Sequence, residues 1–298
     1  MTITLAKPPL LGHHGAIYTI AETPDTDTFW TAGSDGMVAE WSPNKSTDAQ
    51  LRATVHDTIL CVAYFGQIMA VGAMNGAMYF IDLTTKTEIK SVLHHQKGVF
   101  DLRFVNGALW SVGGDARLTR WDISTLLPIE TLRLGTKNLR GFDVFGRIFA
   151  VASSESHIYI VNTETHTKVE KIIETAHTPS VFVCRLSPCG KYLWSGGRDA
   201  LLKIWDVNDD FSLHHVIPAH SFTINDIRFS PCGKYVATAS RDKTIKIWSA
   251  ESFQLLKVID AEKGGHRNSV NRILWLNDTQ FCSVSDDASA RIFNISSF

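Results

Sequence analysis

The sequence predicts an all-β fold, a seven-bladed β-propeller of four-stranded antiparallel blades, and three observations support this prediction. First, seven short apolar segments end at nearly equal intervals of 40, 40, 40, 44, 43 and 45 residues, at Trp41, Ile81, Trp121, Val161, Trp205, Trp248 and Phe293. Second, each interval contains several apolar runs separated by turn residues, a pattern typical of a meander of short strands. Third, a sheet of this size cannot bury its own faces, so the seven copies are expected to stack radially.

The copies differ in the turn between their first two strands, and this difference accounts for much of the variation in interval. Copies five and six have a Pro-Cys-Gly-Lys turn at 188–191 and 231–234, whereas copies two and four have the tighter turns Phe65–Gln67 and Phe145–Arg147. We therefore expect each copy to form one blade and residues 1–298 to form a single propeller domain.

The start of the chain is predicted to complete the last blade. After Phe293 the sequence continues only through 294–298, which is too short for an outer strand of blade seven. Residues Thr2–Ala6 have a strand-like pattern and precede the first copy. We expect them to form the fourth strand of blade seven and to close the ring by pairing the two ends of the chain.

Four copies share a His, a Ser or Thr, an Asp and a Trp in matching positions. These residues are His13, Thr31, Asp35 and Trp41 in copy one; His95, Ser111, Asp115 and Trp121 in copy three; His177, Ser195, Asp199 and Trp205 in copy five; and His220, Thr238, Asp242 and Trp248 in copy six. Copy seven keeps His266, Ser283 and Asp287 but has Phe293 in place of Trp. The signature resembles the WD-repeat family, whose unit has a His near its start and an Asp six residues before a strand-ending Trp. This resemblance covers essentially the whole chain.

Copies two and four depart furthest from the signature. Copy two keeps His56 but has Val71, Asn75 and Ile81 at the other three positions, and copy four has Val151, Glu155 and Val161 with no His in register. These two blades are placed by spacing and strand pattern alone.

The recurring His, Ser/Thr and Asp could be interpreted as a catalytic triad. An enzyme needs one such site, whereas here the set occurs in five copies, and no Gly-x-Ser-x-Gly sequence surrounds any of these serines. The resemblance instead implies a buried hydrogen-bonded chain from Trp through Ser/Thr and His to Asp. We expect no catalytic residues, no cofactor and no metal site, since Cys184 and Cys189 lack zinc-ligand spacing.

Composition narrows the choice of partner and compartment. A formal net charge of −1 gives no general attraction for nucleic acid. Five unclustered cysteines suit a reducing compartment, and the N-terminus lacks the apolar core of a signal peptide. The uncharged stretch Cys61–Ile81 is broken by turn residues, so it is interpreted as buried sheet and not as a membrane span. We expect a cytoplasmic protein that is monomeric by itself and binds neither nucleic acid nor membrane.

The resemblance also indicates where a partner would bind. In the WD-repeat family the face with the His-containing loops, the top face, commonly binds peptides through residues three and five places after the His and the residue before the turn Asp. Five places after the His, or at the matching strand position of copy four, stand Tyr18, Cys61, Phe100, Phe142, Phe182, Asn225 and Asn271. The positions before the turn Asp add Arg198, Arg241 and Asp286, and Arg140 falls at the inner position of blade four.

Two interpretations of this set remain open. In one, the residues form a pocket with an aromatic wall on blades three to five and a cationic, amide-rich wall on blades five to seven, suited to an extended segment with one apolar and one acidic side chain. In the other, the Phe rings plug the channel and the arginines are solvated or paired with Asp286.

Two classes of function follow from the sequence. The first is a non-enzymatic scaffold for a protein or peptide partner. The second is a small-ligand or enzymatic propeller that uses one of the irregular loops, Ser42–Ala53, Asp206–Leu213 or Asp260–Arg267. The fold alone does not choose between them, because propellers host many unrelated functions.

Overall fold

The computed structural model of the chain describes residues 1–46, 48–162 and 168–296. The chain begins with two short strands, β1 (Thr2–Leu5) and β2 (Leu10–Leu11). Four-stranded antiparallel sheets follow one another in chain order. Blade one comprises β3 (Ile17–Glu22), β4 (Phe29–Gly33), β5 (Met37–Trp41) and β6 (Gln50–Thr54), and blade two comprises β7 (Ile59–Phe65), β8 (Ile68–Ala73), β9 (Ala77–Asp82) and β10 (Glu88–Leu93).

The next four blades have the same order of strands. Blade three comprises β11 (Val99–Val105), β12 (Ala108–Gly113), β13 (Arg117–Asp122) and β14 (Leu127–Arg133), and blade four comprises β15 (Leu139–Phe145), β16 (Ile148–Ser153), β17 (Ile158–Asn162) and β18 (Val169–Ile173). Blade five comprises β19 (Val181–Leu186), β20 (Tyr192–Gly197), β21 (Leu201–Asp206) and β22 (Ser212–Pro218), and blade six comprises β23 (Ile224–Phe229), β24 (Tyr235–Ser240), β25 (Ile245–Ser249) and β26 (Leu255–Ile259).

Blade seven is built from both ends of the chain. Its first three strands are β27 (Val270–Asn277), β28 (Gln280–Ser285) and β29 (Ser289–Ser296), preceded by a 3-10 turn at Ala261–Lys263. Strand β1 pairs antiparallel with β29 from Thr2 opposite Ser296 to Leu5 opposite Phe293, and β2 extends the pairing. The prediction that the first residues close the ring is confirmed.

The first strand of every blade lies at the centre of the ring. Strand β3 contacts β7, the contacts continue through each following first strand, and β27 contacts β3 again. The fold is therefore the predicted seven-bladed propeller, with one face formed by the loops that precede each first strand and by the turns between second and third strands. We call this the top face, and the opposite face the bottom face.

The apolar core is divided between the blades. The described residues form seven buried clusters, each built from two neighbouring blades, and one of them joins blade seven to blade one through Phe29, Trp41 and Val284. Each sheet thus buries both faces against its neighbours, which is why a single copy could not fold alone. No helix among the described residues has the length and apolar character needed to span a membrane.

Candidate functional site

Four blades contain the chain of side-chain hydrogen bonds that the resemblance implies. In blade six Nδ1 of His220 lies 2.9 Å from Asp242, Nε2 lies 2.7 Å from Oγ1 of Thr238, and Nε1 of Trp248 donates to the same hydroxyl at 3.0 Å. Blades one, three and five contain the equivalent bonds at 2.7–2.9 Å, centred on Thr31, Ser111 and Ser195. The carboxylate also accepts from the backbone N–H after the His, so it ties the loop to the turn.

The direction of these bonds follows from the donor capacity of each group. The Trp N–H can only donate, so the hydroxyl accepts from it and gives its single proton to Nε2 of the His. The His must then carry its own proton on Nδ1 and donate to the Asp. Burial lowers the pKa of His177, His220 and His266 below the ordinary value, although the Asp partners act in the opposite direction. The imidazoles are therefore neutral structural links.

Blade seven lacks the Trp donor but keeps the rest of the chain. Nε2 of His266 lies 2.8 Å from Oγ of Ser283, and Nδ1 lies 3.0 Å from Asp287. Phe293 packs against Phe281 with its ring centroid 5.2 Å away. An apolar ring thus replaces the donor without disturbing the His–Asp link.

Blade two has a valine where five of the other blades have the buried His. In the five blades with a His, that residue stands four places before the first strand. In blade two this position is Val55, which is buried, while His56 is exposed and takes no part in the network. The interpretation of His56 as the signature His was wrong by one residue. The turn is held instead by Asp57, which accepts from the backbone N–H of Asn75 at 2.8 Å.

Blade four fills the place of the His with a carboxylate. Gly135 stands four places before β15, and a side chain there would collide with Glu155 and the hydroxyl of Tyr159. Glu155 accepts from the backbone N–H of Thr136 at 2.8 Å, from the Thr136 hydroxyl, and from Tyr159 at 2.7 Å. Glu155 therefore replaces both the His and the turn Asp.

A β-bulge interrupts the first strand of every blade at its second residue. In β11, for example, Val99 pairs with Gly113 and Asp101 with Val112, so Phe100 is left without a partner in β12. The extra residue of a bulge is unpaired and its side chain is turned out of the sheet. The seven bulge residues are Tyr18, Leu60, Phe100, Arg140, Phe182, Asn225 and Asn271. All seven line one cavity of about 140 Å³ at the centre of the top face, which we call the bulge ring.

The bulge ring corrects two predicted positions. Phe142, predicted to lie on the top face, is fully buried between blades three and four, where it packs against Phe149 at 5.8 Å. Phe142 lies two residues beyond the bulge of β15 and is paired with Val151, so its ring points between the sheets. Arg140 holds the ring position instead. Cys61 is likewise buried, and Leu60 takes its place in blade two.

A simple signal in the sequence would have found both positions. Copies two, three and four share the repeat interval of 40 residues, and Leu60, Phe100 and Arg140 are also 40 residues apart. Placing the top-face residue five positions after the His failed in these two copies, because His56 is one place out of register and copy four has no His. The proposed run of three Phe residues therefore becomes Phe100, Arg140, Phe182.

Arg140 lies between two aromatic rings. Its guanidinium carbon is 4.8 Å from the ring centroid of Phe100 and 4.8 Å from that of Phe182. Its Nε donates to Oγ of Ser154 at 2.9 Å, which fixes the plane of the group. Burial lowers the pKa of the Arg140 guanidinium, and the nearby positive charge of Arg198 lowers it further. Two cations thus lie close together at this side of the bulge ring.

The asparagines of the bulge ring join neighbouring blades. Asn225 donates to the backbone oxygen of Val270 at 2.8 Å, and Asn271 donates to that of Ile17 at 2.8 Å. Asn271 also donates to Asp286 at 2.8 Å.

Arg198 and Arg241 are exposed on the top face of blades five and six. Within the part of the chain that the structure describes, neither arginine forms an ion pair with Asp286, and no carboxylate forms one with Arg140. These three arginines therefore leave an unbalanced positive charge around the bulge ring.

Comparisons with known proteins agree with this architecture. Residues 169–206, 211–249 and 255–294 match the repeat family described as WD domain, G-beta repeat. Three repeats of this chain therefore match the WD-repeat model. Each matched stretch begins with the outer strand of one blade and continues through the first three strands of the next, from β18 of blade four to β29 of blade seven. The signature positions of the degenerate copies two and four lie outside them.

Among solved structures, the WD40 β-propeller domain of Doa1 has a TM-score of 0.87 and 19% identity, with 99% of this chain and 97% of that chain covered. At this identity the likeness supports the propeller fold alone.

The WD repeats are also similar to those of several curated proteins. An F-box/WD-40 repeat-containing protein of Arabidopsis thaliana is 26% identical over 66% of this chain and 39% of its own length. The ribosome biogenesis protein YTM1 of Scheffersomyces stipitis is 24% identical over 70% of this chain and 45% of its own length. The E3 ubiquitin-protein ligase COP1 of Pisum sativum is 26% identical over 47% of this chain and 22% of its own length. The matches thus span less than half the length of each of these relatives.

Proposed function

We propose that this propeller is a non-enzymatic interaction module that binds an extended segment of a protein partner on its top face. The observation that carries the proposal is the bulge ring: seven β-bulges turn seven side chains toward one cavity. Bulges are built features that re-aim side chains, and their repetition in every blade produces a continuous recognition surface. The similarity to WD-repeat proteins supports the same role. Such repeats occur as one part of longer proteins of different kinds, here an F-box protein, an E3 ubiquitin-protein ligase and a ribosome biogenesis protein.

The size of the cavity suits a single side chain. An apolar cavity of about 150 Å³ accepts a benzene molecule, and the bulge-ring cavity is of about 140 Å³. Phe100, Leu60 and Tyr18 provide apolar contact, while Arg140 provides a fixed guanidinium. An anchor side chain in a small pocket, surrounded by weaker contacts, is the usual arrangement at protein interfaces.

The recurring His–Ser–Asp sets support a non-enzymatic role because they are inaccessible. His177 and Ser195 are fully buried, as are His266 and Ser283. A nucleophilic hydroxyl must reach its substrate, and here each hydroxyl is enclosed between sheets and hydrogen-bonded to its His.

The irregular loops offer less support for the alternative of a small-ligand or enzymatic propeller. Asp209 accepts from the hydroxyl of Ser212 at 2.6 Å, and Asp210 pairs with Lys171. Asp260 caps the 3-10 turn by accepting from the backbone N–H of Lys263. These carboxylates stabilise their own loops and do not converge on a common point among the described residues.

The experiment that tests the proposal compares two charge reversals on opposite faces of the same blades. Arg198→Glu with Arg241→Glu changes the top face, and Lys191→Glu with Lys234→Glu makes the same charge change on exposed turns of the bottom face. Wild type and both variants are used to capture partners from lysate, and the captured proteins are quantified. A protein lost from the top-face variant and retained by the bottom-face variant supports the proposal. Equal recovery by all three would contradict it.

A further inference from the structure

Below the bulge ring, the central channel is lined unevenly by the seven blades. Three residues beyond each bulge, the first strands contribute Ala21, Ala63, Arg103, Asp143, Arg185, Arg228 and Leu274. Blades one and two therefore place alanines where the other blades have long or charged side chains. The space left beside these alanines is a cavity of about 500 Å³, which opens on the bottom face near the Gly66 turn. Its volume is in the range of small-molecule sites.

One wall of this cavity is ionic. Nη1 of Arg103 lies 2.6 Å from Asp143, and Nε of Arg228 lies 3.0 Å from Asp226. Asp226 is shared, because Arg185 and Arg272 also approach it, at 3.3 and 3.6 Å. With Asp101, the channel contains three carboxylates facing four guanidiniums. Within this set one guanidinium is left without a carboxylate of its own, and Glu22 is the one further carboxylate among the described residues that line the cavity.

The close approach of the arginines also affects the ionisation of two channel residues. Burial opposes ionisation of Asp226, but its three arginine neighbours lower the pKa of the carboxyl to about 2. Burial, Arg103 and Arg228 together lower the pKa of Arg185 to about 9. In addition, Nη2 of Arg103, a residue that lines the cavity, is buried with no hydrogen-bond partner among the described residues.

The mouth of the cavity is apolar and aromatic. Phe104 stacks on Phe65 with ring centroids 5.5 Å apart, yet 41% of Phe104 remains exposed. Tyr64 lies nearby and contacts Trp30 edge to face. The single acidic residue that lines the mouth, Glu22, is exposed to solvent, so its charge is screened.

We propose that this cavity is a binding site for a small aromatic anion, such as an aryl phosphate or aryl carboxylate. The anionic group faces Arg103 and Arg228, whose side chains line the cavity. The aromatic group contacts Phe104 and Tyr64 at the mouth. This site lies on the bottom face and does not depend on the function proposed for the top face.

The test uses phenyl phosphate as the probe, titrated into the intact chain by isothermal calorimetry. We expect phenyl phosphate to bind saturably to one site. Inorganic phosphate should bind with an affinity at least about tenfold lower, and phenol should not bind. Ala63→Leu fills the cavity without changing its charge, and Arg228→Gln removes the extra charge without filling it. Each substitution is expected to lower the affinity for phenyl phosphate by about tenfold or more. Arg241→Gln, an exposed top-face change, is the matched control and is expected to leave the affinity unchanged.

Thermal denaturation of each variant distinguishes a loss of binding from a loss of folding. Arg228→Gln leaves Asp226 with two arginine partners, so a loss of folding would show as a lower melting temperature. Ala63→Leu lies beside open space and is expected to keep the melting temperature of the wild type. Absence of saturable binding to the wild type would overturn the proposal, as would an unchanged affinity in a folded Ala63→Leu variant. Equal affinities for phenyl phosphate and inorganic phosphate would overturn the role of the aromatic mouth.

Discussion

The guanidinium of Arg140 lies over the ring of Phe182, with its central carbon 4.8 Å from the ring centroid. Phe100 holds the opposite side of the same guanidinium at an equal distance. The guanidinium thus separates the two rings, which do not form a continuous aromatic wall. Stacking on a partly desolvated guanidinium contributes about 1 kcal/mol or more per ring, and under the proposed function the rings orient this cation for the partner.

Replacing both rings should separate binding from folding. Because Phe100 and Phe182 are only half-buried, the double change Phe100→Ala with Phe182→Ala should lower the melting temperature only slightly. The double change should lower the affinity for the partner captured through the top face by at least about tenfold, the equivalent of 1.4 kcal/mol. The control is Phe104→Ala, an exposed ring on the bottom face, for which the affinity should not change. A large fall in melting temperature, with affinity following stability alone, would show that the rings serve as channel plugs.

The fold was predictable from the sequence because the repeat interval is set by strand and turn lengths that every copy must satisfy. Even the closure by Thr2–Leu5 followed, since blade seven otherwise lacked an outer strand. The bulge ring was predictable only where the copies align on a His, as for Tyr18 and Phe182. The channel cavity depends on which residues stand three places beyond each bulge, and bulges leave no mark in the apolar pattern.

Acidic pH should destabilise the ring through its buried histidines. The pKa values of His177, His220 and His266 are lowered from 6.5 by burial, so below about pH 6.5 the unfolded chain binds protons that the folded chain does not. Stability from these groups is complete above that pH and is lost as the pH falls. A second loss of stability should begin near pH 3.8, where Asp115 of the unfolded chain binds a proton. In the folded chain burial raises the pKa of this carboxyl, but the hydrogen bond from His95 outweighs burial and lowers the pKa to about 2.

Melting temperatures measured from about pH 7.5 down to about pH 4.5 test this sign. His220→Gln should flatten the slope below pH 6.5, because one of the groups that bind protons on unfolding is gone. The exposed His56 lies outside the network, so His56→Gln should keep the slope of the wild type. A melting temperature that rises or stays constant toward pH 4.5 would contradict the prediction.

Deleting residues 1–10 should destabilise the whole ring. Strand β1 forms the outer edge of blade seven, and its half-buried Ile3 and Leu5 pack against the core shared by blades six and seven. Loss of these contacts should lower the free energy of unfolding by about 2 kcal/mol or more, as a shift of a single cooperative transition. The matched control is Thr4→Ala, a change at an exposed position between those two residues. An unchanged melting temperature of the deletion variant would refute the closing role of β1.

Blade four provides a test of how a carboxylate substitutes for the missing His. Gly135 has φ +81°, and an added Cβ would meet Glu155 and Tyr159, whereas Gly146 has φ +56° with no atom within 4 Å of that place. Both substitutions by Ala incur the cost of a left-handed backbone, about 1 kcal/mol. Gly135→Ala must also displace a hydrogen-bonded carboxylate, so it should cost about 3 kcal/mol in the free energy of unfolding, measured by urea denaturation.

The double variant Gly135→Ala with Glu155→Ala makes the argument specific to that carboxylate. Removing Glu155 alone leaves the Thr136 N–H and the Tyr159 hydroxyl without their acceptor, which should cost about 2 kcal/mol. In the double variant the methyl group of the new Ala no longer displaces anything, so the combined cost should be smaller than the sum of the two single costs. Additive costs would mean that Glu155 does not occupy the place of the imidazole, and blade four would then need another explanation for its Gly.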